Sequence, residues 1–356
     1  ALSFVDGLGS VSYRNLIQKF HSPDSVFKAS PGDLETVGGI RRKVIEQIKG
    51  FTKAEEVKRE LELIAQHQVA LVTFVEDNYP SQLLNIYDPP PFLYVKGELR
   101  QEDSLAVAVV GSRFASHYGK SAAESISRGL AQEGLTIVSG MARGIDTCAH
   151  RSALSAGGRT IAVLGCGIAV NYPVENRKLK EAIAIQGAVL SEFPMSTPPA
   201  ASHFPMRNRI ISGMSLGVVV AEASHRSGSL ITARLALEQG RDVFAIPGSI
   251  DSLRSRGTHK LIKDGAKLVE VAQDVITELL PQMRPRPRPA ASPQGEETLL
   301  ATEARCILEA LGQNQLQIDR IITETGLKSN QISSILLDLE LKGMVRQLPG
   351  KVFTRK

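Results

Sequence analysis

Cysteine is scarce: Cys148, Cys166 and Cys306 stand far apart in 356 residues, with no Cys-x-x-Cys pair among them. That pattern offers neither a zinc knuckle nor a disulfide framework, and it points to a reducing, cytoplasmic setting. Long apolar runs are missing as well. None reaches the roughly 18 residues of a membrane span, and no basic-then-apolar leader opens the sequence, so no membrane partner is expected. The first residue is Ala rather than Met, so a trimmed segment before it is expected. Histidines 117, 150, 203, 225 and 259 fall on different turns without ligand spacing. Surface or hydrogen-bonding roles are therefore expected of them, and no metal or other cofactor. Surplus charge is small: 42 Lys and Arg against 37 Asp and Glu leave +5. Such a surplus permits nucleic acid as a partner without demanding it.

What is present divides into parts. Residues 1–70 read as punctuated helices, in which VDGLGSVS (5–12) and VGGIRRKVI (37–45) each set an apolar residue, a glycine-bearing turn and an apolar-periodic helix. Such a turn either holds a DNA phosphate on its amides or makes a tight connection between packed helices. The second copy alone carries a basic cluster, Arg41, Arg42 and Lys43, which tilts the balance toward the connection. LVTFVEDNYP (71–80) reads as strand-like, and YDPPPFLYV (87–95) turns extended. From 105 to 280 the short β-branched runs AVAVVG, LTIVSG, TIAVLG, GAVLSEF, LGVVVAE and DVFAIPG alternate with helical patterns such as 119–133 and 229–239. Strands alternating with helices of this length predict βαβ units and a doubly wound, mostly parallel sheet of six or more strands, over 71–280. PQMRPRPRPAASPQG, at the start of 281–297, lacks apolar residues and backbone donors and reads as a linker. Beyond it, in 298–356, helical patterns at 302–311, 318–325 and 329–342 precede two strand-like runs around Pro349 and Gly350. Three helices and a hairpin predict a winged helix. Its third helix, SNQISSILLDLELKG, has little positive charge, which favours protein docking or weak DNA contact.

The chemistry concentrates in the turns after the strands. A dinucleotide site needs Gly-x-Gly-x-x-Gly for the pyrophosphate to approach a helix start. VVGSRFASHYG (109–119) keeps Gly111 but lacks the second and third glycines, which disfavours NAD or FAD. It supplies instead a hydroxyl at Ser112 and a guanidinium at Arg113, suited to a phosphate by a paired fork of hydrogen bonds. The next turn, SGMARGID (139–146), brings Gly140 and Arg143. GCGIAVNYPVENR (165–177) adds Asn171, Tyr172, Asn176 and Arg177. HFPMRNR (203–209) opens a helix with His203, Phe204, Arg207, Asn208 and Arg209. SHRSGSLIT (224–232) offers Ser227, Gly228 and Ser229 as a hydroxyl-rich helix start fit for an anion. Consecutive crossovers place strand ends on one edge, so the five turns are expected to converge there. A row of arginines suits phosphates in series, and Phe204, Phe114 and Tyr172 are candidates to stack bases. Asp146 and Glu222 are expected to orient arginines rather than to catalyse.

At these residues the sequence resembles the DNA-processing protein A family (DprA, also called Smf). VGSR, SGMARGID, VLGCGI with NYP and EN, SEFP, HFPMRNRIISG and SGSLITARLALEQGRDVFAIPG follow that family's order and spacing over about 70–280. The resemblance implies an extended Rossmann-like domain, preceded by a helical SAM-like or helix-hairpin-helix module and followed by a winged helix. It also implies a cytoplasmic homodimer without catalytic activity. Such a protein binds and protects single-stranded DNA and loads RecA recombinase during natural transformation. The family's DNA pocket falls here on Gly111, Ser112, Arg113, Arg143, Phe204 and Arg207, and Arg177 stands near where some members place a pocket lysine.

Two other readings compete. The fold also resembles the lysine-decarboxylase-like phosphoribohydrolases, which share a Pro-Gly-Gly-x-Gly-Thr-x-x-Glu loop. Here the corresponding SGSLITARL (227–235) has no carboxylate at that spacing, and Glu222 and Glu238 remain as possible acids with no second group paired to either. A nucleotide-sensing domain that signals through the winged helix would bind with little dependence on salt.

Overall fold

In the computed structural model the described residues are 1–283, 304, 306–308, 310–311, 316–327, 329–341, 345–348 and 352–355. They fall into two compact units that divide after Arg284.

Five short helices open the first unit: α1 (Ser10–Phe20), α2 (Pro23–Lys28), α3 (Pro31–Glu35), α4 (Arg42–Lys49) and α5 (Ala54–Gln66). Their punctuation is local chemistry. Ser22 caps α2 by accepting from the Ser25 amide, and Ser30 and Asp33 form a reciprocal capping box on α3, each with proline in the first turn. Leu16, Ile17, Val26, Leu34, Val44, Ile45 and Ile48 make a separate small core. The turn before α4 faces α1, since Asn15 Nδ2 donates to the Gly38 carbonyl at 3.1 Å and Ser12 Oγ to that of Gly39 at 3.0 Å. Both turn carbonyls thus serve helix packing.

The sheet has nine strands: β1 (Ala70–Thr73), β2 (Phe92–Gly97), β3 (Ala106–Val110), β4 (Thr136–Ser139), β5 (Thr160–Val163), β6 (Ala188–Ser191), β7 (Gly217–Val220), β8 (Asp242–Ala245) and β9 (Lys267–Leu268). Their order is β1-β2-β6-β5-β4-β3-β7-β8-β9. The seven from β6 to β9 are parallel, while β1 and β2 add antiparallel pairs at one edge. The six apolar runs are β3 to β8. Every residue of β3 to β7 is buried, as a sheet covered on both faces requires.

The helices that follow the strands are α6 (His117–Gln132), α7 (Ile145–Ser155), α8 (Arg177–Gln186), α9 (His203–Gly213), α10 (Ser229–Glu238) and α11 (Arg256–Lys263), which cross between strands, and α12 (Ala272–Met283), which comes after the last of them. Residues of α6, α7 and α12 pack over one face of the sheet, and residues of α9 and α10 over the other. α12 runs on through Pro281, and Gln282 Nε2 donates to Asp242 Oδ2 at 2.6 Å. The first three residues of the expected linker therefore belong to this helix; the rest of 281–297 lies outside the described residues.

In the second unit, helices Ile318–Thr325 and Ser329–Leu341 accompany a three-stranded sheet of β10 (Leu316–Gln317), β11 (Val345–Leu348) and β12 (Val352–Arg355), in the order β10-β12-β11. Ile307, Leu311, Ile321, Ile332, Leu336, Val345 and Phe353 close its core. The two expected strand runs are β11 and β12; Pro349, Gly350 and Thr302 lie outside the described residues. Among the described residues no helix is long and apolar enough to cross a membrane.

Candidate nucleic-acid interface

The strand order dictates where a ligand sits. From β3 the chain winds through β4 and β5 to β6, then returns to β7 on the other side of β3. Loops after β3 and β7 therefore part in opposite directions, which opens a crevice at the carboxyl ends of the strands. A cavity of about 640 Å³ fills it, walled by Ser112, Arg113, Asp146, Phe204, Arg207 and the start of α10 among others. A smaller cavity of about 120 Å³ shares Arg113, Tyr172 and Phe204 with it and reaches Gly140, Arg143 and Gly165. All five polar turns thus meet around two adjoining hollows.

Close backbone approach holds the turns together. Gly144, at φ +76°, would set a Cβ 2.3 Å from the Ser112 carbonyl oxygen, and the same carbonyl accepts from the Ile145 amide at 3.2 Å. The second turn can therefore lie against the first only with glycine at 144. Gly140 plays a different part: a Cβ there would stand 2.6 Å from Arg207 Nη2 and 2.8 Å from Asp146 Oδ2. Its bare backbone leaves room for these two charged groups.

Arg113 is exposed, and its guanidinium carbon lies 4.9 Å from the centroid of the Phe204 ring. The Tyr172 ring is 5.7 Å from that of Phe204. Phe114, an exposed ring, lines both hollows too, so one cation and three rings share the mouth. Beneath them Arg207 is only 4% exposed, and its Nη1 donates to the carbonyls of Gly140 and Val163. Asp146, 6% exposed, accepts from the Ala142 amide at 3.2 Å. Burial pushes the Asp146 carboxyl up to about 6, with Arg207 opposing the shift, and pushes Arg207 down to about 10, with Asp146 opposing it. At neutral pH both stay charged, each serving as the other's counter-charge.

Other expected site residues have different partners. Asn208 is buried, with Oδ1 accepting from Arg207 Nε at 3.3 Å, and it walls the larger cavity. Ser227 and Ser229 share a hydrogen bond of 2.7 Å beside Gly228 at the start of α10. Gly111 and Ser112 line the cavity, and Ser112 Oγ accepts from the Phe114 amide. Arg143 reaches Glu175 at 2.5 Å on the rim of the smaller hollow. Asn176 is buried beneath the second turn, with Nδ2 donating to the Met141 carbonyl at 3.0 Å and to Thr147 Oγ1 at 2.8 Å.

Asn176 lines neither hollow, and three further positions also stand away from both. Arg177 faces Glu181 one helical turn along α8, at 3.9 Å. His203 stacks on Phe193, with ring centroids 4.3 Å apart. Arg209 points to the far side of α9, where it pairs with Glu192 at 2.6 Å and Asp88 at 2.8 Å. Glu222 was expected to orient an arginine, but its carboxylate accepts from the amide and hydroxyl of Ser116 and so fixes the start of α6. The buried Thr232 escaped sequence reading; it walls the cavity from α10, and its place three residues after Ser229 was the available signal. Among the described residues no group of three potential ligands gathers to hold a metal ion.

Fold and site together define a doubly wound α/β protein with a cavity at its topological switch point that Arg113 and Arg207 line. Residues 70–280 match DNA recombination-mediator protein A, and residues 284–351 match the DprA winged helix domain. The chain belongs to the family of DNA recombination-mediator protein A. Protein Smf of Synechocystis is 36% identical over 100% of this chain and 98% of the relative. The crystal structure of DNA processing protein A from Streptococcus pneumoniae is similar, with a TM-score of 0.69 and 43% identity over 78% of this chain and 95% of that one. DNA processing protein A from Helicobacter pylori, whose structure concerns a single-stranded DNA binding mode, gives a TM-score of 0.55. It is 32% identical, over 61% of this chain and 98% of that one.

Proposed function

We propose that the chain binds single-stranded DNA across this cavity, protects incoming DNA during natural transformation and loads RecA recombinase onto it, as a cytoplasmic homodimer. The observation that carries the reading is the Arg113–Phe204 pair at the cavity mouth, a cation for phosphate and a ring face for an unstacked base on one spot. In a duplex that face has no free base to meet. The residues assigned to DNA are Gly111, Ser112, Arg113, Phe204, Arg207, Asn208 and the Ser227–Gly228–Ser229 start of α10, with Gly140 and Arg143 at the smaller hollow. The same reading makes 71–280 the DNA-binding domain, with 1–70 and 298–356 as flanking modules. The single-stranded DNA binding mode of the Helicobacter pylori relative and the family's description as recombination mediators support it. The hydrolase alternative gains nothing from Glu222, whose carboxylate is engaged by Ser116.

The test is binding of a fluorescent oligo-dT against duplex DNA and free nucleotides, followed by assembly of RecA on strands coated with a single-strand-binding protein. Tight binding that prefers single strands, with faster RecA assembly, is expected. Binding of a mononucleotide alone would overturn the proposal.

A further inference from the structure

The floor of the larger cavity holds two charged groups whose hydrogen-bonding capacity the protein does not exhaust. Arg207 spends Nη1 on two carbonyls and Nε on Asn208, while among the described residues Nη2 has no hydrogen-bond partner. Arg207 lines the cavity, so this remaining donor is available to a ligand there. Beside it, Asp146 bonds the Ala142 amide through Oδ2 and the Gly140 amide also acts on its carboxylate, which with two oxygens and about four acceptor sites still has lone pairs for another donor. Both side chains line the same cavity, no direct ion pair joins them, and both approach the space that a side chain at Gly140 would fill. A flat ring, Phe204, stands on the wall of that cavity, and the anion-receptive start of α10 lies on its β7 side.

We infer that Asp146 and Arg207 read the hydrogen-bonding edge of one base laid against Phe204, and that this cavity prefers guanine. The inference rests on the proposed single-strand binding and adds base selectivity to it. The floor sits beneath the ends of β4 and β5, whereas Ser227–Gly228–Ser229 follows β7. Four neighbouring strands span roughly 14 Å, so one nucleotide can lie across them with its base over the floor and its phosphate toward α10. An ionised carboxylate accepts two parallel donors, and a guanidinium beside it supplies one to an acceptor. Guanine alone offers N1–H and N2–H next to O6. Thymine offers one donor between two acceptors. Adenine and cytosine turn a ring-nitrogen lone pair toward the carboxylate, which repels it. Buried polar groups left unpaired by the wrong base supply the discrimination.

The experiment places a single dG, dI, dA or dC in the middle of an oligo-dT and measures affinity at about pH 8, where the carboxylate is ionised. The dG strand is expected to bind about tenfold tighter than the dC strand, with dI between them because it lacks the 2-amino donor. In Asp146→Asn the dG preference should vanish from whatever affinity remains. Equal, tight binding of all four strands would overturn base reading while leaving single-strand binding intact. If no strand binds, the proposed function fails, and competition between dGMP and dCMP, followed by the NMR signals of Phe204, decides the inference by itself. Preference for dGMP sustains it, and equal competition sinks it.

Discussion

The guanidinium carbon of Arg113 stands over the Phe204 ring, 4.9 Å from its centroid, although one residue follows β3 and the other lies at the start of α9. Neither can hold its place by local sequence alone. The pairing keeps a mobile cation at the cavity mouth before any ligand arrives, at a gain of about 0.5–1 kcal/mol for an exposed site.

Removing either member should cost affinity rather than stability. Arg113→Ala is expected to weaken oligo-dT binding by roughly 1.5–3 kcal/mol, the value of a hydrogen bond to a charged group. Phe204→Ala should cost about 1–3 kcal/mol through lost stacking. Because the two side chains touch, the double variant should lose less than the sum. Anisotropy titrations check all three, and an unchanged thermal midpoint for Arg113→Ala checks that the fold is spared.

Salt separates a strand from a mononucleotide. Each phosphate engaged on a single strand should contribute a slope of about −0.7 to a log–log plot of affinity against salt. If Arg113 is one such contact, Arg113→Ala should flatten the slope by about that amount. A wild-type slope near zero would leave the cavity with no role in binding an extended strand.

The sheet was legible because fully buried parallel strands must be continuous apolar runs, and β3 to β8 are such runs. Convergence of the turns followed from the handedness of crossovers, without any side chain being placed. What the sequence withheld was direction. In HFPMRNR, Arg207 and Arg209 are chemically identical and two residues apart, which on a helix sets them on different faces. Only packing against the sheet sends Arg207 beneath the cavity and Arg209 toward Asp88 and Glu192. Glu222 was hidden for a similar reason: its partner, Ser116, lies in a distant loop.

Arg209 therefore makes a contrasting prediction. It is part of a nearly buried pair with Glu192, and removing one partner strands the other charge. Arg209→Ala should destabilise the fold by about 3–5 kcal/mol. The folded fraction should keep its oligo-dT affinity. Chemical denaturation and binding measured below the transition test the two halves separately.

His150 sets an acid limit. It is fully buried, Nδ1 lies 2.6 Å from Thr160 Oγ1, and burial pulls its pKa down from the ordinary value to about 3, with Arg207 adding to the shift. The unfolded chain then binds more protons than the folded one between about pH 6.5 and 3, so stability falls as pH falls through that window. Asp146, pushed up to about 6, works in the opposite sense between pH 4 and 6, which makes comparison with a variant essential. His150→Gln should flatten the acid limb of a stability–pH curve relative to wild type. An identical limb in both proteins would remove His150 from the account.

Gly144 is where fold and site can be separated least. Its φ of +76° lies in the left-handed region, and an added Cβ would meet the Ser112 carbonyl oxygen at 2.3 Å and that of Arg113 at 2.7 Å. These are backbone atoms, so no side chain can swing aside to relieve the clash. Gly144→Ala must push the second turn off the first, breaking the Ile145 amide bond to Ser112 and moving Arg113 from its place over Phe204. Backbone strain of this kind costs about 1–3 kcal/mol. The variant should lose both stability and oligo-dT affinity, while Gly134→Ala, also at positive φ but with open space around it, should lose stability alone. Thermal melts paired with binding titrations distinguish the two. Equal loss of binding in both variants would mean that contact between the first two turns does not position Arg113.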